Sequence, residues 1–150
     1  MAHLNLPDAA LNLVAAFEGF RAEPYRCPAG VWTVGYGFTR RPDGSRVEGN
    51  DPPTTETFAR VRLRRELLKT GRVVCRLVVC PLTSNQFGAL TSFAYNVGSG
   101  NFKASTLRQR LNRGDYAGAC LEFPKWRRAG GRILPGLIRR RAAEQRLFEA

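Results

Sequence analysis

Residues 17–39 read F-E-G-F-R-A-E-P-Y-R-C-P-A-G-V-W-T-V-G-Y-G-F-T, and the fold turns on them. One carboxylate (Glu18), one thiol (Cys27) and one hydroxyl (Thr33) are spaced along a break in structure. Before the break, Leu11, Val14, Ala15 and Phe17 recur at helical spacing, and Gly19 directly after Glu18 suits a helix stop. After it, residues 25–27 and 31–38 are rich in aromatic and β-branched side chains, while Pro28, Ala29 and Gly30 supply turn chemistry. A helix ending at Glu18 is therefore followed by a hairpin that can fold back to face the helix end.

Toward the N-terminus, Pro7 and Asp8 mark the start of that first helix, since proline tolerates the first helical position and a carboxylate suits the positive helix end. Residues 39–53 are polar and turn-rich, with Asp43-Gly44 predicting a tight turn and a third short strand. Thr54 and Thr55 offer an N-cap for a long helix reaching about residue 74, with Phe58, Val61, Leu67 and Leu68 as a broken apolar stripe. Its Arg60, Arg62, Arg64 and Arg65 read as a solvated face. The best-marked helix start is Leu82-Thr83-Ser84-Asn85-Gln86-Phe87, where Thr83 and Gln86 form a capping box and Phe87, Leu90, Phe93, Ala94 and Val97 follow as core. Residues 98–101 break this helix, Ser105 or Thr106 caps the next, and Asp115 caps a third that Pro124 ends. Residues 126–132 form a Gly-rich connection before Pro135 opens a final helix. Trp126 reads as packing, although a tryptophan can also stack on a sugar.

A chain of 150 residues is long enough to bury roughly 68–70% of its unfolded surface without staples. Twenty-four Lys and Arg against twelve Asp and Glu give a formal charge of +12, which favours a polyanionic partner: nucleic acid, anionic lipid or an envelope polymer. The cysteines make no zinc pattern, because Cys75 and Cys80 lack a second close pair or a histidine group, and the single histidine, His3, stands near the terminus. Cys75, Cys80 and Cys120 read as reduced, mostly buried thiols. Gly35-Tyr36-Gly37 is not a dinucleotide loop, since Arg40 occupies the place of the third glycine. No Lys or Arg precedes Arg21 and the apolar run at 11–17 is short, which fits neither a signal peptide nor a membrane span.

Glu18, eight residues, Cys27, five residues, Thr33, followed by Val34-Gly35-Tyr36-Gly37, resembles the catalytic region of phage-type lysozymes, glycoside hydrolase family 24. Two further blocks resemble that family: L-T-S-N-Q-F-G-A-L-T-S-F-A-Y-N-V-G-S-G-N-F at 82–102 and G-D-Y-A-G-A-C-L-E-F-P-K-W-R-R-A-G-G-R-I-L-P-G-L-I-R-R-R at 114–141. Three ordered blocks at suitable separations carry far more weight than the Glu, Cys, Thr spacing alone. The resemblance implies an α+β, lysozyme-like fold. A small hairpin-sheet lobe (about 19–53) and a larger helical lobe (about 76–150, with helix 7–18 packing near it) are joined by a long helix (about 54–75), with the active cleft between them. It implies an endolysin muramidase that cuts the β-1,4 bond between N-acetylmuramic acid and N-acetylglucosamine of bacterial peptidoglycan, with inversion, for host-cell lysis.

The family pattern makes Glu18 the general acid. That role requires the carboxyl to hold its proton near neutral pH, which partial burial against apolar neighbours such as Phe17 favours. A spectator carboxylate would be poorly placed beside the negative end of the helix dipole. Family members carry Asp or Cys at the second position, so Cys27 fits one subset: it positions or activates water, acts through its thiolate, or is a buried hairpin thiol. Thr33 would hold the attacking water, while a threonine on a strand is otherwise a plain strand former. Inversion calls for roughly 6.5–9.5 Å between the reacting groups, leaving room for that water. The resemblance calls for no metal and no cofactor. Some members of the family carry an N-terminal signal-anchor; none is read in this sequence, nor a signal peptide, so the resemblance implies a monomer held in the host cytoplasm until another phage protein opens the inner membrane. Two rival readings are a basic nucleic-acid-binding module, suggested by the charge and by Arg139, Arg140 and Arg141, and a wall-binding relative that has lost catalysis. The basic residues are spread over many segments and no nucleic-acid motif is present, so no specific nucleic acid is expected as partner.

Overall fold

The computed structural model describes residues 5–150, so His3 lies outside the described residues. The elements are α1 (Asp8–Glu18), β1 (Arg21–Arg26), β2 (Trp32–Gly35), α2 (Glu56–Leu77), α3 (Ser84–Val97), α4 (Ser99–Ala104), α5 (Thr106–Asn112), α6 (Tyr116–Cys120), a 3-10 turn (Phe123–Lys125), β3 (Arg128–Ala129), β4 (Arg132–Ile133) and α7 (Pro135–Glu149). This is an α+β arrangement, mostly helical, with the antiparallel β1–β2 hairpin as its principal sheet. The chain divides into two compact units: the described residues through Leu13 with Glu66–Ala150, and Val14–Arg65.

In the Val14–Arg65 unit, β1 pairs with β2 through Tyr25 opposite Thr33 and Arg26 opposite Trp32. The register shifts between Arg21 and Tyr25, where Pro24 sits; a proline without an N–H is tolerated at such an irregularity. The hairpin closes as predicted at 28–30, with the Gly30 N–H donating to Cys27 O at 2.7 Å and the Cys27 N–H to Val31 O at 3.0 Å. Gly30 takes φ +78°, the left-handed geometry that a three-residue hairpin loop demands after a tight turn. The expected strand 31–38 ends early. Val34 and Phe38 exchange two backbone hydrogen bonds of 2.9 Å, so the chain folds back through Gly35-Tyr36-Gly37. The third strand shrinks to a single bridge between Arg40 and Arg46 across the Asp43-Gly44 turn. Arg41 secures this loop by donating to both Asp51 carboxylate oxygens, at 2.9 and 2.6 Å. Tyr36, Phe38, Val47, Ala59 and Leu63 are buried in this unit.

The long helix α2 starts with Thr55 Oγ1 accepting the Phe58 N–H at 3.2 Å. Its buried line is Ala59, Leu63, Leu67 and Val74, whereas Phe58 and Val61, expected to be core, are 53% and 52% exposed. Cys75 is exposed as well, against expectation, while Cys80 is half-buried and Cys120 buried.

In the larger unit, Thr83 accepts from the Gln86 N–H and the Gln86 side chain answers the Thr83 N–H, completing the capping box. Gly88 on α3 allows α1 to approach closely: a Cβ there would stand 2.8 Å from that of Ala10. Only Gly98 breaks the chain where 98–101 was expected to, and α4 resumes at Ser99. Ser105 accepts from the Arg108 N–H at 3.1 Å and Asp115 from the Gly118 N–H at 2.8 Å, as caps of α5 and α6. Phe93 anchors the core, with the rings of Phe102, Phe123 and Trp126 meeting it edge-on at 6.2, 5.4 and 5.3 Å. The Gly-rich connection after Trp126 contains the β3–β4 hairpin, which periodicity did not reveal. On α7, Arg139 is exposed but Arg140 and Arg141 are 4% and 1% exposed around the fully buried Glu144. The densest basic run in the sequence therefore does not offer three charges to a polyanion.

Candidate active site

Glu18 is the last residue of α1, held there by the buried Leu11, Val14 and Ala15 behind it and by the Gly19 N–H donating to Ala15 O at 3.0 Å. Its side chain is half-buried. A Cβ added at Gly37 would lie 3.7 Å from Glu18 Oε2, so the carboxylate faces the Gly35-Tyr36-Gly37 turn where no side chain intervenes. That turn is braced by Tyr36, whose phenol donates to Glu56 Oε1 at 3.0 Å and whose ring meets Phe20 at 5.6 Å. Sequence reading missed this bracing role, because nothing in Gly-Tyr-Gly marks its middle residue as buried.

Cys27 and Thr33 come together on the β1–β2 hairpin. Backbone hydrogen bonding from Val31 holds the Cys27 thiol below its ordinary value against the opposing effect of burial, and Ala29 and the Thr33 hydroxyl add to it. Thr33 is 3% exposed and its Oγ1 donates to Val31 O at 3.0 Å. A hydroxyl has one proton and two lone pairs. With its proton on Val31 O, Thr33 can still accept from a water or from the thiol, and when Cys27 ionises the same proton can turn to the sulfur. One unit thus carries a carboxyl, a thiol whose pKa is lowered and a hydroxyl oxygen that can still accept. Among the described residues, no group of three or more His, Cys, Asp or Glu is placed to hold a metal ion.

The fold and this set of groups define a glycoside hydrolase of lysozyme type. The phage lysozyme family model matches residues 15–144, and the chain belongs to that family. It is 39% identical over 151 residues to the endolysin of Acyrthosiphon pisum secondary endosymbiont phage 1, covering 98% of this chain and 99% of the relative. It is likewise 39% identical to the SAR-endolysin of Bacteriophage PS119, over 85% of this chain and 74% of that protein. Among solved structures, the endolysin from Escherichia coli O157:H7 phage FAHEc1 superposes with a TM-score of 0.88 at 30% identity, covering 98% of this chain and 94% of its own. The reaction is accordingly the lytic cleavage of peptidoglycan, and the place of action is the cell wall. Among the described residues, no helix is long and apolar enough to cross a membrane.

Proposed function

We propose that Glu18, Cys27 and Thr33 carry out an inverting hydrolysis of the β-1,4 bond between N-acetylmuramic acid and N-acetylglucosamine. The observation that supports this most directly is the hairpin that follows Glu18, where the buried Thr33 hydroxyl donates to Val31 O at 3.0 Å and the Val31 backbone lowers the pKa of the Cys27 thiol. Glu18 gives its proton to the glycosidic oxygen as the bond to the anomeric carbon breaks. A water held on Thr33 Oγ1 attacks the opposite face, and its proton passes to the Cys27 thiolate. Solvent then returns a proton to Glu18 and removes one from Cys27, restoring the resting state. The test is a turbidity assay on purified peptidoglycan with analysis of the released ends. N-acetylmuramic reducing ends, formed first as the inverted anomer, are expected. Products ending in 1,6-anhydro sugars, or free peptides alone, would refute the reading.

The enzyme acts as a monomer and waits in the host cytoplasm until another phage protein opens the inner membrane. Its four unpaired cysteines fit a reducing compartment. Fractionation of producing cells before lysis should find it with the soluble proteins; recovery in the membrane pellet would contradict this.

A further inference from the structure

The β1–β2 hairpin is irregular at one place. Arg21 stands opposite Gly35 and Tyr25 opposite Thr33, so four steps along β1 match two along β2 and the strand bulges through Ala22, Glu23 and Pro24. Bulges gather beside active sites, where they re-aim side chains. This one is pinned by the Thr54 N–H, which donates to Ala22 O at 2.9 Å.

Between the bulge and Pro53 lies a hollow of about 480 Å³, lined by Phe20, Arg21, Ala22, Glu23, Pro24 and Pro53. That volume falls within the roughly 300–1,000 Å³ of small-ligand sites. Its two charged side chains, Arg21 and Glu23, are exposed and opposite in sign, yet among the described residues no ion pair joins them. Arg21 is held over the Tyr25 ring instead, its guanidinium carbon 4.1 Å from the ring centroid. Such stacking occupies the face of the guanidinium and leaves its N–H edge for an acceptor. The hollow thus offers a cation and a carboxylate side by side, the complement of a group that carries a carboxylate and an ammonium together.

The position of the hollow bears on what can reach it. Residues directly opposite in an antiparallel pair leave the same face of the sheet, so Tyr25 shares its face with Thr33. Arg21, stacked on Tyr25, therefore lies next along the hairpin from the proposed water site. N-acetylmuramic acid bears the wall peptide on its lactyl arm, so a muramidase that cuts at this sugar receives that peptide beside the bond it breaks.

We propose that the hollow binds the zwitterionic end of a diamino-dicarboxylic acid in the wall peptide, Arg21 donating to its carboxylate and Glu23 accepting from its ammonium group. The assignment rests on the muramidase reading, and it makes Arg21 and Glu23 specificity-determining residues for the peptide.

Calorimetric titration with two muropeptides tests it: the disaccharide tripeptide ending in meso-diaminopimelate, and the same molecule ending in lysine, which keeps the ammonium but lacks the adjacent carboxylate. Wild type should bind the first roughly 2- to 5-fold tighter, the range of an exposed charge pair. Arg21→Gln should erase that preference. Glu23→Gln should weaken both muropeptides by a similar factor, although it makes the protein more positive; attraction through net charge alone would tighten them. Equal wild-type affinity for the two muropeptides, or tighter binding by Glu23→Gln, would overturn the inference, and wild-type release of reducing ends from peptidoglycan alongside that result would leave the hydrolytic reading standing. A wild type that shows the preference but cuts no peptidoglycan would keep the peptide site and sink the hydrolytic reading.

Discussion

Cys27 and Thr33 are the residues at which local geometry speaks most directly to chemistry. If the thiolate takes the proton of water, activity must rise as pH climbs through the Cys27 pKa, which the Val31 backbone places below the ordinary thiol value. Replacing Cys27 by Asp should keep substantial activity and move that basic requirement several pH units lower, toward the carboxylate value of about 3.9. Replacing it by Ala should abolish turnover. A folded Cys27→Ala enzyme with wild-type rates would reduce the thiol to packing and leave Glu18 and Thr33 alone. The other thiols supply an internal comparison. Burial raises Cys75 despite its exposed position, and burial together with Glu149 pushes Cys120 up to about 11. Alkylation followed by mass spectrometry should therefore modify Cys27 at lower pH than either; simultaneous labelling of Cys27 and Cys75 would contradict the lowered pKa. The three candidate side chains were legible by residue type and spacing. Their hydrogen-bond partners were not, because the Val31 carbonyl and amide have no side-chain signature.

At the scale of elements, the sequence was most readable where a side chain bonds its own local backbone. Thr83, Ser105 and Asp115 each cap the predicted helix, and Pro135 opens α7. Thr83→Ala should cost about 1 kcal/mol in chemical denaturation, and no loss would mean the cap is idle. Reading failed where tertiary packing chose between equal local options. On α2, Phe58 and Val61 looked like core by hydrophobicity, yet the small Ala59 lies on the buried line and they do not. The run 31–38 looked like one strand because β-branched and aromatic residues dominate it, but two glycines around Tyr36 let it fold back. Packing also governs Gly71, where an added Cβ would meet the Phe87 ring at 2.6 Å. Gly71→Ala gains up to about 1 kcal/mol of helix propensity but overpacks a buried contact at about 1–3 kcal/mol, so net destabilisation is expected. A stabilised Gly71→Ala protein would show that Phe87 can yield.

Across the whole molecule, charge works in two unlike ways. Glu144 is fully buried and accepts from Ser92, Arg140 and Arg141, so Glu144→Gln strands two buried guanidinium groups. The expected loss is about 3–5 kcal/mol by denaturant titration, and a near-neutral result would mean water reaches the cluster. The remaining positive surface contributes through the net charge of +12, and binding to wall fragments should weaken as salt shortens the Debye length to about 10 Å at 0.1 M. Binding that ignores salt would place the affinity in sugar contacts instead. Both effects serve a chain in which Glu18 is proposed to hand one proton to a glycosidic oxygen. The direct measurement is the rate of reducing-end release from purified peptidoglycan by Glu18→Gln, with its fold verified by circular dichroism and melting. An amide cannot give that proton, so turnover should fall by roughly 100- to 10,000-fold. A folded Glu18→Gln enzyme that cuts at near the wild-type rate would contradict it.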